Sequence, residues 1–280
     1  MAMTSTQAKL LTFGCSYTDE KYISATLKDP NLKDTLLTPG LTQGHTKPFP
    51  FWPTLLADRL DMQLENHAQM GLGNDGIHSI FEDKILNTDN VGLVVIMWTE
   101  VMRMSFEQVK KTGVFSTKNV WFKVKIGAGS KNDEFRKNQL EIEEVLSKQG
   151  LVDPVALLGR SLRLFYSAQC ILEHKKIPYK MIMGMPPSKR EFQNKISKHL
   201  VNSPYTKIIK NFIGWPLFEP LGGFYCADMI KGEFINSTNP HPNARGQQLI
   251  TNIISESLGH RLLKEQHLAN SYQMRNMHVR

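Results

Sequence analysis

A serine and a histidine near opposite ends of the chain are the residues best suited to covalent chemistry. Ser16 lies in KLLTFGCSYTDE, just after an apolar run that stops at Gly14. A serine becomes a nucleophile only when a base is within hydrogen-bond reach and donors await the oxyanion that forms. His241, in NPHPNARGQQLI, is the candidate base. The alternative without a catalytic role is that Ser16 lies in an ordinary strand-to-loop turn and His241 lies at an ordinary helix start.

Cys15 is a second candidate nucleophile, because it adjoins Ser16 and Cys–His pairs also catalyse acyl transfer. Side chains alternate along a strand, so the residue next to an active-site serine is expected to point into the core, where free cysteines are common. We therefore predict that Ser16 is the nucleophile and that Cys15 is buried.

Three further blocks support the serine by their order along the chain. WPTLLADRL opens a helix after Ser16, NHAQMGLGN follows a predicted second strand, and NPHPNARGQQLI precedes the last predicted helix. Together with FGCSYT, these blocks resemble the SGNH (GDSL-type) hydrolase superfamily. The resemblance covers the ordered core of the chain, and Cys15 stands where the family usually has aspartate.

The resemblance implies a role for each matching residue. Ser16 corresponds to the nucleophile and His241 to the general base. Asn66, Ala68 and Gly71 match the family's second block, and this match assigns the backbone N–H of Gly71 to the oxyanion, together with that of Ser16. The reaction implied is ester hydrolysis, with no metal and no cofactor.

The third family block departs from its usual form. Where the family has Gly-x-Asn-Asp after the central strand, this chain reads MWTEVMR, with Thr99 in place of the asparagine and Glu100 in place of the aspartate. A threonine hydroxyl donates one hydrogen bond but is shorter than an amide. We expect Thr99, or Asn74 from the facing loop, to be the third oxyanion donor.

The residue that orients His241 is also altered. Family members place an aspartate three residues before the histidine, and that position is Thr238 here. The candidate replacements are Thr238 itself, Asn236, Asp228 or a backbone carbonyl. The sequence thus predicts a Ser–His pair whose third member is open.

Residues around the end of the central strand are candidates for substrate binding. Trp98 is expected to be a core residue or a pocket wall. Arg103 either pairs with Glu100 or binds an anionic group of the substrate, and the sequence does not choose between these alternatives.

The elements that position these residues follow an α/β pattern. Short apolar runs alternate with helical patterns, which is typical of a mostly parallel sheet. VGLVVIMW is apolar on both faces and is expected at the sheet centre. We predict a flavodoxin-like three-layer α/β/α sandwich with a parallel sheet of about five strands.

The domain prediction is one SGNH-hydrolase-like domain over 1–280, with insertions at about 19–50, 102–150 and 188–236 and a loose tail at 264–280. The second insertion contains WFKVKIGAGSKNDEF, a candidate hairpin, followed by a charged helical run. The third is basic at first and then rich in aromatic residues and glycine.

Composition restricts the partners. The net charge of +8, from 34 basic and 26 acidic residues, suits an anionic partner, although the basic residues are spread along the chain. The basic run from 188 to 211 has few aromatic residues, so it is read as a solvated face rather than a nucleic-acid site. Three cysteines without C-x-x-C spacing argue against a disulfide framework. No signal peptide or bilayer-spanning segment is evident, and a cytoplasmic or virion-associated protein is expected.

The sequence therefore predicts a serine esterase that removes a small, acetyl-like acyl group from a polar carrier such as a carbohydrate. The alternative is a catalytically impaired SGNH-like protein with a binding or structural role, for example in a virion. The oligomeric state is not predicted.

Overall fold

The computed structural model describes residues 7–22, 49–111, 117–126, 134–235 and 239–259. The predicted tail at 264–280 and most of the predicted insertion at 19–50 lie outside these residues. The elements are, in chain order, β1 (Lys9–Phe13), α1 (Trp52–Leu60), β2 (Gln63–Asn66), α2 (Asn74–Asn87), β3 (Val91–Trp98), β4 (Arg103–Lys111), β5 (Thr117–Lys125), α3 (Glu134–Lys148), α4 (Pro154–His174), β6 (Tyr179–Met183), α5 (Arg190–Val201), α6 (Tyr205–Ile208), β7 (Phe212–Ile213), α7 (Cys226–Met229) and α8 (244–259). A short 3₁₀ turn, Glu219–Leu221, lies between β7 and α7.

The main sheet has five strands in the order β2-β1-β3-β6-β7, and neighbouring strands are parallel throughout. Counted along the parallel strands, this order is 2-1-3-4-5, the flavodoxin-like arrangement. In such sheets the carboxyl ends of the strands form one edge, and ligands bind in the crevice there. The predicted α/β fold is confirmed.

The central strand β3 explains why helices cover both faces of the sheet. Its side chains alternate, with Val94, Ile96 and Trp98 on one face and Val95 and Met97 on the other, and all five are buried. The first face packs against α2 and α4, and the second packs against α1 and α8. Burial on both faces produces the continuous apolar run in the sequence.

Two predicted insertions contribute regular structure. The fifth strand, β7, lies within 188–236, and it pairs with β6 through Met181–Phe212 and Ile182–Ile213. Strands β4 and β5 form a separate antiparallel hairpin within 102–150. The WFKVK segment, predicted as part of a candidate hairpin, is the second strand of that hairpin.

The hairpin begins at the edge of the sheet that carries the site, because β4 starts five residues after β3 ends. Its first pair joins Arg103 to Lys125. A hairpin starting there brings cationic side chains to the carboxyl end of β3. Within the residues described, no helix is long and apolar enough to span a bilayer.

Candidate active site

The loop after β1 presents Ser16 in a tight turn. The backbone N–H groups of Thr18 and Asp19 both donate to the Cys15 carbonyl at 3.0 Å. A Cβ atom at Gly14 would lie 2.4 Å from Thr18 Oγ1, so the turn requires glycine there. Ser16 is almost fully buried, and Cys15 is completely buried as a free thiol. Burial of Cys15 fits its predicted place in the core.

Ser16, His241 and Asn239 form a continuous hydrogen-bonded chain. Ser16 Oγ lies 2.7 Å from His241 Nε2, and His241 Nδ1 lies 2.6 Å from Asn239 Oδ1. The two residues that the sequence predicted to act together are therefore within hydrogen-bond distance, although 225 positions separate them. Asn239 occupies the place of the third member.

The contacts of Asn239 determine which nitrogen of His241 carries the proton. Asn239 Oδ1 also accepts from the backbone N–H of His241 at 3.4 Å and from the Tyr22 hydroxyl at 3.2 Å. A backbone N–H can only donate, so the side-chain atom facing it is the oxygen. His241 Nδ1 must then donate to that oxygen, which leaves the Nε2 lone pair to accept the Ser16 hydroxyl proton.

Two tyrosine rings fix the plane of the imidazole. The Tyr22 ring stacks on His241 with a centroid separation of 4.0 Å and an interplanar angle of 23°. The Tyr17 ring meets it edge to face at 5.5 Å, and the Tyr17 hydroxyl donates to the Pro240 carbonyl. His241 is thus held by ring contacts on two sides as well as by Asn239.

The surroundings of His241 favour the neutral imidazole. Burial, followed by the positive charges of Arg103 and Lys125, lowers the pKa of His241 from 6.5 to about 3. An asparagine at the third position supplies no negative charge to offset these effects. His241 is therefore available as a proton acceptor over a wide pH range, but its imidazolium form is poorly stabilised.

A charged cluster lies beside the histidine. Glu100 Oε1 contacts Arg103 Nε at 2.7 Å and Lys125 Nζ at 2.9 Å. Burial alone would raise the pKa of Glu100, but the two cations lower it below its usual value. Of the two alternatives for Arg103, the pairing with Glu100 is present, and Lys125 from β5 joins it.

His241 and this cluster line the same cavity, which has a volume of about 620 Å³. Such a volume lies within the range of small-molecule sites. The lining residues are Tyr17, Glu100, Arg103, Lys125, Met185, Pro186, Ser188, Lys189, Tyr225, Ala227, Asp228, Lys231, Phe234, Pro240 and His241. A small substrate in this cavity would be next to the Ser16–His241 pair.

The loop that carries Gly71 is tied to the serine loop by hydrogen bonds. Gln69 N–H donates to the Gly14 carbonyl at 3.1 Å, and Met70 N–H donates to Asp19 Oδ2 at 2.9 Å. Gly71 has a φ of +80°, which favours glycine. In the described part of the chain, no hydrogen bond is formed by the backbone N–H of Ser16 or of Gly71. Both donors remain available to a bound group.

Asn74 does not fit its predicted role as an oxyanion donor. Its Nδ2 donates to the Thr99 carbonyl and to Ser161 Oγ, both at 3.1 Å, and its Oδ1 accepts from the Thr99 N–H at 2.9 Å. Both amide hydrogens are therefore used within the protein. Asn74 instead fixes the backbone of Thr99 at the end of β3.

The hydroxyl of Thr99 is buried and makes only a 4.0 Å contact with the sulfur of Met185 among the described residues. A thioether sulfur is a weak acceptor, so this contact leaves the hydroxyl able to donate elsewhere.

Four other predicted residues need correction or lie outside the described residues. Trp98 is fully buried and packs on Phe165 with ring centroids 4.7 Å apart, so it is a core residue and not a pocket wall. Asp228 lines the cavity, but the ring nitrogen of His241 that needs an orienting group contacts Asn239 instead. Asn236 and Thr238 lie outside the described residues.

Asn239, Tyr22 and Lys125 are site residues that were not predicted from the sequence. A local signal existed for Asn239, because an Asn side chain often accepts from the backbone N–H two residues later, as it does here across Pro240. The family pattern directed attention to the position three residues before the histidine instead. Tyr22 and Lys125 arrive from other segments, and no local pattern marks them.

Comparison with known proteins gives likenesses of fold only. No family model matches the sequence, and no curated protein matches it. Among solved structures, a protein assigned to the G-D-S-L lipolytic family from Desulfitobacterium hafniense is 14% identical, with a TM-score of 0.42 over 89% of this chain and 99% of its own. A carbohydrate esterase, whose active site is described as having divergent catalytic and non-catalytic binding functions, is 12% identical. Its TM-score is 0.42 over 93% of this chain and 67% of its own.

Proposed function

We propose that the protein is a serine ester hydrolase that removes a small acyl group from a polar carrier such as a carbohydrate. The observation that carries this proposal is the chain from Ser16 Oγ through His241 to Asn239, with contacts of 2.7 and 2.6 Å. Nucleophile, base and orienting group within such distances are the signature of covalent acyl transfer. The order of sequence blocks resembling SGNH hydrolases supports the same reaction.

In the acylation step, His241 Nε2 takes the proton of the Ser16 hydroxyl as Ser16 Oγ attacks the ester carbonyl. Asn239 accepts a hydrogen bond from Nδ1–H throughout and so keeps the lone pair of Nε2 directed at Ser16. The imidazolium then returns the proton to the departing alcohol. In deacylation, water attacks the acyl-serine with His241 again as the base, which releases the acid and restores Ser16.

The developing oxyanion needs donors that are already in place. The backbone N–H groups of Ser16 and Gly71 are the proposed donors, because the described residues leave both without a partner. The Thr99 hydroxyl is the proposed third donor, and it has only a weak sulfur contact to give up. Arg103 and Lys125 line the cavity in which the rest of the substrate would lie.

The second candidate is a binding protein that has lost turnover. The observation that favours it is the environment of His241, where an amide replaces the carboxylate and two cations oppose formation of the imidazolium. Binding would then use the same cavity without acylation of Ser16.

Hydrolysis of 4-nitrophenyl acetate and of acetylated sugars by the native chain and by Ser16→Ala separates the two candidates. We expect Ser16→Ala and His241→Gln each to lower kcat/KM by about 10³-fold or more, since the nucleophile and its base act as a unit. Ser147→Ala, which alters an exposed serine on α3, is the matched control and should retain full activity. Equal rates for the native chain and Ser16→Ala would refute the esterase.

Covalent labelling identifies the nucleophile directly. A fluorophosphonate should modify the Ser16 peptide in the native chain and in Cys15→Ala, as read by mass spectrometry. It should leave His241→Gln largely unlabelled, because the serine would lack its base. Label on the Cys15 peptide would assign the chemistry to the thiol instead.

A further inference from the structure

The cavity beside Ser16 and His241 carries an excess of positive charge. Four of its lining residues are cationic, namely Arg103, Lys125, Lys189 and Lys231, and two are carboxylates, Glu100 and Asp228. Asp228 is hydrogen-bonded by Tyr225, another lining residue. A neutral ester requires no such excess of cations.

The ion pairs of Glu100 in the cavity leave positive charge uncompensated. Arg103 and Lys125 both contact the same oxygen of Glu100, so one carboxylate serves two cations. The side chain of Arg103 is only 14% exposed, whereas that of Lys125 is 45% exposed. An incoming anion can therefore reach Lys125 from the solvent side and Arg103 from within the cavity.

Arg103 keeps donors that no strong acceptor satisfies among the described residues. Its Nε donates to Glu100, and its Nη2 reaches only the sulfur of Met185, at 3.5 Å. A guanidinium has five N–H donors in a fixed fork that matches a carboxylate or phosphate oxygen pair. The remaining N–H groups, in a side chain that lines the cavity, form a ready contact for an oxyanion.

The two cations also act on the catalytic base. Arg103 and Lys125 both contribute to the lowered pKa of His241, which shows that their field reaches the imidazole. Asn239 supplies no negative charge to offset that field. An anion bound against Arg103 and Lys125 would offset it and stabilise the imidazolium formed when Ser16 attacks.

We infer that the substrate is an ester that carries a separate anionic group, such as a carboxylate, away from the reacting carbonyl. Arg103 and Lys125 bind this group. This inference rests on the proposed function, because it names the substrate class of the same site. The anion supplies binding energy and also the negative charge that a carboxylate at position 239 would otherwise provide. Neutral esters are then hydrolysed with a lower kcat as well as a higher KM.

Matched ester pairs test the inference and locate the anion. In one pair, 4-acetoxy-3-nitrobenzoate carries its charge on the alcohol part, and its methyl ester is the neutral control. In the other, mono-4-nitrophenyl glutarate carries its charge on the acyl part, and 4-nitrophenyl pentanoate is the control. A charge-assisted contact predicts a preference of about 10- to 100-fold in kcat/KM for the charged member of at least one pair.

Variants show whether the preference arises from the named cations. Lys125→Gln should lose about 10-fold of the preference, mainly through a lower kcat/KM for the charged ester, because one of the two cations that bind the anion is removed. A merely structural role for Lys125 would lower both rates together. Arg103→Gln should behave likewise, and Lys110→Gln, on the exposed part of β4, should keep the native preference.

A binding measurement provides a readout that does not depend on turnover. Calorimetric titration of Ser16→Ala with 4-acetamido-3-nitrobenzoate and with glutarate should show binding of at least one anion. The affinity should fall by about 10-fold when Lys125→Gln is added, and the corresponding methyl ester and diamide should not bind. The inference is overturned if none of these anions binds and if charged and neutral esters are hydrolysed equally. When that hydrolysis depends on Ser16, the proposed function remains intact. Hydrolysis that survives Ser16→Ala overturns the proposed function, and the titration then still decides whether the anion binds.

Discussion

At the scale of single residues, Asn239 is the position that distinguishes this site from a Ser-His-Asp triad. Its side-chain oxygen accepts a hydrogen bond from His241 Nδ1–H, as an aspartate oxygen would, and so fixes the tautomer of His241. Its neutral amide does not stabilise the imidazolium. The structure therefore separates two roles of a triad carboxylate, orientation and charge, and Asn239 performs only the first.

Replacing Asn239 with aspartate tests this separation. In the native chain the pKa of His241 is lowered to about 3, so we expect the proposed base to stay deprotonated and hydrolysis to persist far below pH 6.5. In Asn239→Asp the adjacent carboxylate favours the protonated ring, and we expect the acidic limb of the kcat/KM profile to move upward by about 1–3 pH units. Activity toward neutral esters at pH 8 should rise, because the imidazolium formed during attack is better stabilised.

Tyr22→Phe is the control for Asn239→Asp, since it removes the hydroxyl that donates to Asn239 and keeps the ring that stacks on His241. Its acidic limb should stay where the native one lies. An unshifted limb in Asn239→Asp would mean that position 239 does not control the charge of His241. NMR titration of the imidazole nitrogens measures the same shift independently of turnover.

At the scale of elements, a single asparagine joins the start of α2 to the end of β3. Asn74 accepts from the N–H of Thr99 and donates to its carbonyl, so both backbone groups of a fully buried residue depend on it. The carboxyl end of β3 is where the charged cluster and the hairpin begin. Asn74 therefore supports the end of β3 at the site, although its own amide donates no hydrogen bond into the cavity.

Asn74→Ala should be strongly destabilising. It would leave the N–H and carbonyl of Thr99 and the hydroxyl of Ser161 without their partner in a region that water does not reach. Each such buried group costs about 1–3 kcal/mol, so for the three groups we expect the free energy of unfolding in urea to fall by about 3 kcal/mol or more. Asn87→Ala, at the exposed end of the same helix, should cost less than about 0.5 kcal/mol. Similar losses in the two variants would contradict the structural role of Asn74.

The elements also show where sequence patterns predict structure and where they fail. Strand β3 was predictable because burial on both faces demands a continuous apolar run. Strand β7 was not, because Phe212 and Ile213 alone carry no periodicity, and they form a strand only by pairing with β6. At the site, Ser16 and His241 were predictable from the blocks that contain them. Lys125 was not, since it reaches Glu100 only through the register of the β4–β5 hairpin.

At the scale of the whole molecule, the net charge of +8 and the cationic cavity have the same sign. A positive surface field attracts an anionic molecule during diffusional encounter and repels a cationic one. This attraction of an anionic molecule extends beyond contact distance only at low salt, where the Debye length is long. The field of the protein and the contacts in the cavity would thus favour the same class of substrate at successive stages of binding.

Ionic strength should therefore affect charged and neutral esters differently. Between 0.01 and 0.15 M salt the Debye length falls from about 30 to about 8 Å, which removes most of the long-range attraction. For the anionic ester that the native chain prefers, we expect kcat/KM to decline by about 3- to 10-fold over this interval. Most of that loss should appear as a higher KM.

The neutral member of the same ester pair controls for salt effects on the protein, and its kcat/KM should change by less than about 2-fold.

Lys125→Gln retains most of the net charge but lacks one contact in the cavity. In this variant, kcat/KM for the anionic ester should still fall with salt, because the long-range attraction comes from the whole surface. Its preference for the anionic over the neutral ester at high salt should shrink, because that preference comes from the cavity. A preference that disappears completely at 0.15 M salt in the native chain would assign all of it to the surface field and none to Arg103 and Lys125.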